Sequence, residues 1–183
     1  MDIQGIHQRL VGRFGPAILG VDSAAVDPWI EVAADRLAEV CQFLRDEPEL
    51  RFEMLHVITG VDYFEPDAKK AAAVDWQPHV EVLYHVSSLS CRHRLVLKVS
   101  MPRWKDGEEG QPPELPTVSR VWSTADWHER EVFDLFGVGF TGHPNLQRIL
   151  LPEDWPGHPL RKDYQMPTEY HGIVRSDKIA GGQ

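Results

Sequence analysis

Cysteine is scarce in this chain: Cys41 and Cys91 are the only two among 183 residues. Neither their number nor their spacing serves a zinc site or an iron–sulfur cluster, and nothing requires them to pair. Positive charge is also short, since 19 Lys and Arg stand against 28 Asp and Glu for a formal net charge of −9. Without a basic stripe the chain is a poor partner for a phosphate backbone, so no nucleic acid is expected. No uninterrupted apolar run approaches the roughly 20 residues that cross a bilayer. Met1-Asp2 opens neither a basic signal region nor an Arg-rich transit pattern. These gaps predict a reduced, cytosolic setting and membrane contact only through other proteins. Nucleotide and nucleophile motifs are missing too: there is no phosphate-binding Gly-x-x-x-x-Gly-Lys, dinucleotide Gly-x-Gly-x-x-Gly or Gly-x-Ser-x-Gly elbow. Gly137-Val138-Gly139 follows a helical pattern, not a strand, and lacks the third glycine.

What is present fits one soluble α/β domain with an appendage, 42% of it hydrophobic. After an amphipathic opening (Ile3, Ile6, Leu10), Asp27-Pro28 reads as a helix N-cap and first helical residue. Ile30, Val32, Ala33, Leu37, Val40 and Leu44 then keep helical spacing up to Pro48. Alternation over Phe52–Phe64, from His79 ("HVEVLYHVSS") and from His93 ("HRLVLKVSM") predicts half-buried strands, with "TVSRVW" from Thr117 as a fourth. The fold class is therefore α/β of the α+β kind: a mostly antiparallel sheet of about four strands with helices packed on it. The stretches between the strands are rich in charge, proline and glycine and read as exposed connections. Ser123 with Asp126 resembles a capping box, and Gly137 is placed to end the helix that follows. Beyond it, Pro144, Pro152, Pro156, Pro159 and Pro167 exclude a long helix. Domain 1–140 is thus expected to carry an extended, proline-rich arm, 141–183, that lies either on its own domain or on another protein. The arm has five basic and five acidic residues, so the body carries all of the net charge.

The chemistry-bearing residues crowd into the last helix and the arm. "HEREVFD" falls short of the zincin His-Glu-x-x-His because Val132 stands four residues after His128. Glu129 and Glu131, two apart on a helix, point in different directions; Arg130 and Asp134 have the spacing of an i, i+4 ion pair. Val132, Leu135 and Phe136 are the positions expected to face the sheet. Gly-His-Pro occurs twice, at 142–144 and 157–159, each histidine held extended by the proline after it. His143 and His158 read as hydrogen-bonding anchors of a rigid arm rather than as metal ligands, because nothing in the spacing makes three donors converge. "HPLRKDY" mixes Leu160 and Tyr164 with Arg161, Lys162 and Asp163, as an interface does.

Trp127 to Tyr164 closely resembles the signature region of the C subunit of bacterial NADH-quinone oxidoreductase, respiratory complex I (the 30 kDa subunit family). The resemblance rests on Glu129-Arg130-Glu131, Asp134, Phe136-Gly137, Phe140, Gly142-His143-Pro144, Arg148-Ile149-Leu150 and Gly157 to Asp163. "FEMLHVITGVDYF" resembles the family's strand ending in Val-Asp-aromatic, so the likeness runs from about Phe52 to Tyr170. Gln147 departs from it, standing where the family has a basic residue. The resemblance implies an α/β fold and a non-catalytic place in the hydrophilic arm, peripheral on the cytoplasmic side of the plasma membrane. It implies no cofactor in this chain, FMN and iron–sulfur clusters belonging to partner subunits, and contact with the D and B subunits. Some relatives have the C and D subunits fused into one chain; this one stops at Gln183 and is expected to be separate. The residues that would meet partners are Glu129, Arg130, Glu131, Asp134, His143, Arg148, His158, Arg161, Lys162, Asp163 and Tyr164. The equivalent subunit of a membrane-bound hydrogenase, or of an F420-dependent or ferredoxin-dependent complex, is the alternative within the family. A stand-alone metalloenzyme built on His128, His143, His158 and the carboxylates is the alternative outside it.

Overall fold

A computed structural model describes residues 1–174; the end of the expected arm, 175–183, lies outside the described residues. Five strands form one mixed, largely antiparallel sheet: β1 (Ile18–Asp22), β2 (Trp29–Val32), β3 (Met54–Tyr63), β4 (His79–Ser88) and β5 (His93–Pro102), in the order β1-β2-β5-β4-β3. Helices α1 (Ile3–Phe14), α2 (Leu37–Asp46) and α4 (Ala125–Phe136) share one core with the sheet's inward residues, and α3 (Ala68–Ala71) is a single turn in the β3–β4 connection. Strands β6 (Glu114–Pro116) and β7 (Gly139–Thr141) pair as a parallel sheet of two, and β8 (Glu169–Tyr170) with β9 (Ile173–Val174) makes a terminal hairpin.

The three long strands lie where the alternation puts them, and their even register keeps Ile58, Val80, Val82, Tyr84, Leu97 and Val99 in the core. Three expectations are overturned. The helix from Asp27 does not start there: Ile30 and Val32 are also two apart, both are fully buried, and Trp29–Val32 inserts as a strand parallel to β5. Asp27 caps nothing, and α2 begins only at Leu37. A parallel slot beside β5 buries two β-branched side chains, and that tertiary gain outweighs the local helical spacing. The fourth expected strand is not one either. Thr117–Trp122 is turn, with Val118, Val121 and Trp122 buried, and the Trp122 indole donates to the Phe52 carbonyl at 2.8 Å. The fourth and fifth strands of the sheet are β2 and β1. Helix α4 has the predicted end, with Gly137 left-handed at φ +67° and its N–H on the Phe133 carbonyl, but no side-chain cap at its start, so the Ser123–Asp126 capping box is not made.

Helix α4 lies across β3. Gly60 makes this possible, because a Cβ there would fall 2.7 Å from the Phe136 ring. Val132 faces the core as expected, while Leu135 and Phe136 are only partly buried. Glu129 and Asp134, both carboxylic side chains, are the fully buried members of the helix together with Ala125.

Candidate functional site

A helix leaves its last carbonyls without intrahelical donors, and here the arm supplies them. Phe133 O receives Gly137 N–H; Asp134 O receives His158 Nδ1–H at 2.9 Å; Leu135 O receives Leu160 N–H at 3.0 Å; Phe136 O receives Arg161 Nε–H. The second Gly-His-Pro is therefore the external cap of α4. Its histidine ring lies so close that a Cβ on Gly137 would overlap the ring carbon Cδ2. Burial, with Arg148 and Arg161 nearby, lowers the His158 pKa, so the ring is neutral at pH 7 and carries its proton on Nδ1. The first Gly-His-Pro fastens the other end. The His143 side chain is fully enclosed, its Nε2 donates to Asp126 O at 3.1 Å in the first turn of α4, and its Nδ1 accepts Asn145 N–H at 3.0 Å. Both histidines are hydrogen-bonding anchors of the arm.

Asp134 is the centre of the clamp. One carboxylate oxygen accepts the N–H groups of Ile149, Leu150 and Leu151 at 3.0, 2.8 and 3.0 Å, and the other accepts Arg148 at 2.8 Å. Burial raises its pKa, but these donors more than offset that and hold it below the ordinary aspartate range. Arg148 then reaches the carbonyls of Trp155 and Gly157, both at 3.0 Å, and so fixes the loop that presents His158. The expected Arg130–Asp134 ion pair is not formed. Arg130 instead lies over the Trp127 ring and donates to the carbonyls of Gln147 and Arg148. The contact at 147 is made by backbone, so it does not depend on which side chain stands there.

A second knot sits at the far end of β3. Asp62 occupies an inward position of the strand and Arg103 continues the inward parity of β5; they pair in two-pronged fashion at 2.7 and 2.9 Å. Asp62 also accepts the Lys162 N–H at 2.8 Å, Asp163 takes a further N–H of Arg103 at 2.8 Å, and Arg161 is buried between the Phe136 and Arg103 carbonyls. Burial lowers the Arg161 pKa; for Arg103 the Asp62 and Asp163 carboxylates outweigh burial and raise it. The Val-Asp-aromatic end of β3 contains Asp62 but does not give it a role in a site, and no motif marks Arg103. Their signal is a charged residue at a core-facing parity position, which demands a partner.

Glu129 forms a third contact. Its carboxylate accepts Thr117 Oγ–H and the Val118 N–H, the latter at 2.7 Å, and lies 3.8 Å from His143 Nε2. Burial pushes its pKa up to about 7 against the two hydrogen bonds. Glu131 and the Lys162 side chain are exposed, and Tyr164 accepts the Trp155 indole N–H at 2.9 Å. His128, His143 and His158 are not gathered: among the described residues no three His, Cys, Asp or Glu side chains converge on a metal position. Cys41 and Cys91 are unpaired, and burial drives the Cys41 thiol pKa far upward. Among the described residues no helix is long and apolar enough to cross a membrane.

The family model described as respiratory-chain NADH dehydrogenase, 30 Kd subunit, matches residues 30–170, covering the sheet from β2 onward, α4, the clamp and the arm as far as Tyr170. The chain belongs to this family. It is 41% identical to the C subunit of NADH-quinone oxidoreductase from Roseiflexus castenholzii, over 92% of this chain and 87% of that one. It is 43% identical to the same-named protein of Chlorobium phaeobacteroides, over 88% and 87%. Among solved structures, a chain of an archaeal respiratory membrane complex, the membrane-bound sulfane sulfur reductase, superposes with a TM-score of 0.66 at 23% identity, covering 89% of this chain and 85% of that one. That likeness is one of fold.

Proposed function

We propose that this 30 Kd-family chain is a non-catalytic, hydrophilic peripheral-arm subunit of proton-translocating NADH-quinone oxidoreductase, respiratory complex I. It supports assembly and the passage of electrons from NADH to quinone. The observation that carries the reading is the family match over 30–170, which takes in most of the body and the arm as far as Tyr170. Two features support a scaffold role. Large apolar side chains lie exposed on α4 and the arm, namely Trp127, Leu150, Leu160, Met166, Ile173 and Val174; of these Met166, Ile173 and Val174 line one apolar hollow with Trp155 and Tyr170, and grouped apolar surface of this kind marks protein contact. The buried charges of the clamp are neutralised within the chain and hold that surface in one shape. Functionally, 1–140 is the rigid domain and 141–183 the contact arm. Its partners are other complex I subunits, the D and B subunits first, and those partners carry the FMN and iron–sulfur clusters. The chain sits peripherally on the cytoplasmic side of the plasma membrane. Of the proposed partner-facing residues, Glu131, Lys162 and Asp163 are the exposed ones; Glu129, Asp134, His143, Arg148, His158 and Arg161 shape the surface from beneath.

Deleting the gene and restoring it tests the reading. Membranes without the chain are expected to lose NADH-quinone activity and regain it with the restored gene; undiminished activity after deletion contradicts the proposal. The fold shared with the sulfur reductase complex favours a second reading, the equivalent subunit of a machine with another electron donor. Co-purification of a hydrogenase, F420- or ferredoxin-dependent subunit in place of an NADH-oxidising one would select it.

A further inference from the structure

The face of the main sheet turned away from the helices is not uniform. At one end its charges cancel. Lys98 lies 3.1 Å from Glu81 and 3.7 Å from Glu31 and sits over the Trp29 ring, Ser100 donates to Glu31, and His79 stacks on Tyr63. At the other end a hollow of about 300 Å³ opens among Pro28, His56, Val57, His85, Arg94 and Val96. The strand register sets its floor: His85 is opposite Val96 on β5 and Val57 on β3, and Arg94 is opposite Ser87. Its wall is the β1–β2 turn, fixed by the Asp22 carboxylate, which accepts the N–H groups of Ala24 and Ala25.

The polar groups here are unmatched. His56 is bonded to the Ser87 hydroxyl at 2.7 Å, but Arg94 and His85 have no hydrogen-bond or ion-pair partner among the described residues. Asp27 is the one acidic residue of the lining, and it makes no ion pair with Arg94. In a chain of net charge −9, a concave site with a free guanidinium, two imidazoles and apolar walls of Pro28, Val57 and Val96 complements a carboxylate carried on an apolar stem. We propose that this hollow receives an acidic segment of a neighbouring subunit, with Arg94 clamping a side-chain or terminal carboxylate and the imidazoles supplying further N–H donors. The proposal rests on the chain being a subunit of a larger complex. It adds a contact face on the opposite side of the sheet from α4.

The test uses the full chain in its complex. Val26, 96% exposed on the wall turn, is replaced by a photo-crosslinking phenylalanine, with and without Arg94→Glu, and with Arg13→Glu on α1 as a charge control. The expected result is a cross-link to an Asp- or Glu-containing segment of another subunit. Its yield should fall about tenfold or more in Arg94→Glu, as loss of one charged pair implies, and stay unchanged in Arg13→Glu. If the chain co-purifies with its complex but cross-links nowhere, cross-links to a segment without acidic residues, or is indifferent to Arg94→Glu, the proposal is overturned while the reading as a subunit stands. A chain that co-purifies with no other subunit overturns both.

Discussion

At the residue scale the buried charges decide stability. Asp134 accepts four hydrogen bonds in a site closed to water, so Asp134→Ala leaves Arg148 and three backbone N–H groups without their acceptor. Breaking a buried charged network in this way costs about 3–5 kcal/mol. Chemical denaturation of the full chain should show a loss of that order, and a loss under about 1 kcal/mol would contradict the clamp. Glu131→Ala, at an exposed site, should change stability by less than about 1 kcal/mol in the same measurement. The pH dependence has two opposed parts. The Asp134 and Asp163 pKa values lie below their ordinary value of 3.8. Their stabilisation is full above that value and is lost as pH falls through the folded-state pKa. Glu129 runs the other way: its pKa is raised from 4.5 to about 7, so the native state holds a proton that the unfolded chain releases, and stability declines as pH rises across that interval. Glu129→Gln keeps an acceptor for Val118 and removes the titration. Its melting temperature relative to the natural chain should rise between about pH 5 and pH 8 by several degrees, at about 2–4 °C per kcal/mol for a chain of this size. A difference independent of pH would show that Glu129 is not the titrating group.

Among the elements, α4 and the two Gly-His-Pro turns form one unit, and glycine is required where they meet. Gly137→Ala places a Cβ into the His158 ring at a left-handed backbone position. The backbone alone costs about 1–2 kcal/mol, and displacing His158 uncaps Asp134 O as well. The variant should melt lower and become cleavable between Gly142 and Tyr164, a stretch expected to resist protease in the natural chain because it is fastened at 143, 148, 158 and 161–163. Early natural cleavage is expected beyond Tyr164. Cleavage of the natural chain first within 142–164 would contradict the fastening. Much of this is legible in the sequence. Period-two alternation locates β3, β4 and β5, and Gly137 with the two prolyl histidines marks the end of α4 and the anchors. What stays hidden depends on distant partners. Trp29–Val32 looks helical until the slot beside β5 is known, Thr117–Trp122 looks like a strand until Glu129 takes its backbone N–H, and Arg130 has the right spacing for Asp134 but loses it to Arg148 from the arm.

For the whole molecule, internal neutralisation of the buried charges and exposure of apolar side chains describe a body shaped to be held by others. The family match and the surface point the same way: a rigid sheet-and-helix domain, an arm bolted to it by Asp62 and Asp134, and no gathered set of metal-binding side chains among the described residues. The purified full chain is expected to show neither NADH oxidation nor flavin or cluster absorbance. The most direct measurement of the central claim is affinity purification of the tagged chain from gently solubilised membranes, with its companions identified by mass spectrometry and the eluate assayed for NADH oxidation. Recovery of the D and B subunits and a flavin-bearing, NADH-oxidising subunit in constant ratio to the chain is expected. Recovery of the chain alone, or with companions that lack any NADH-oxidising subunit, would contradict it.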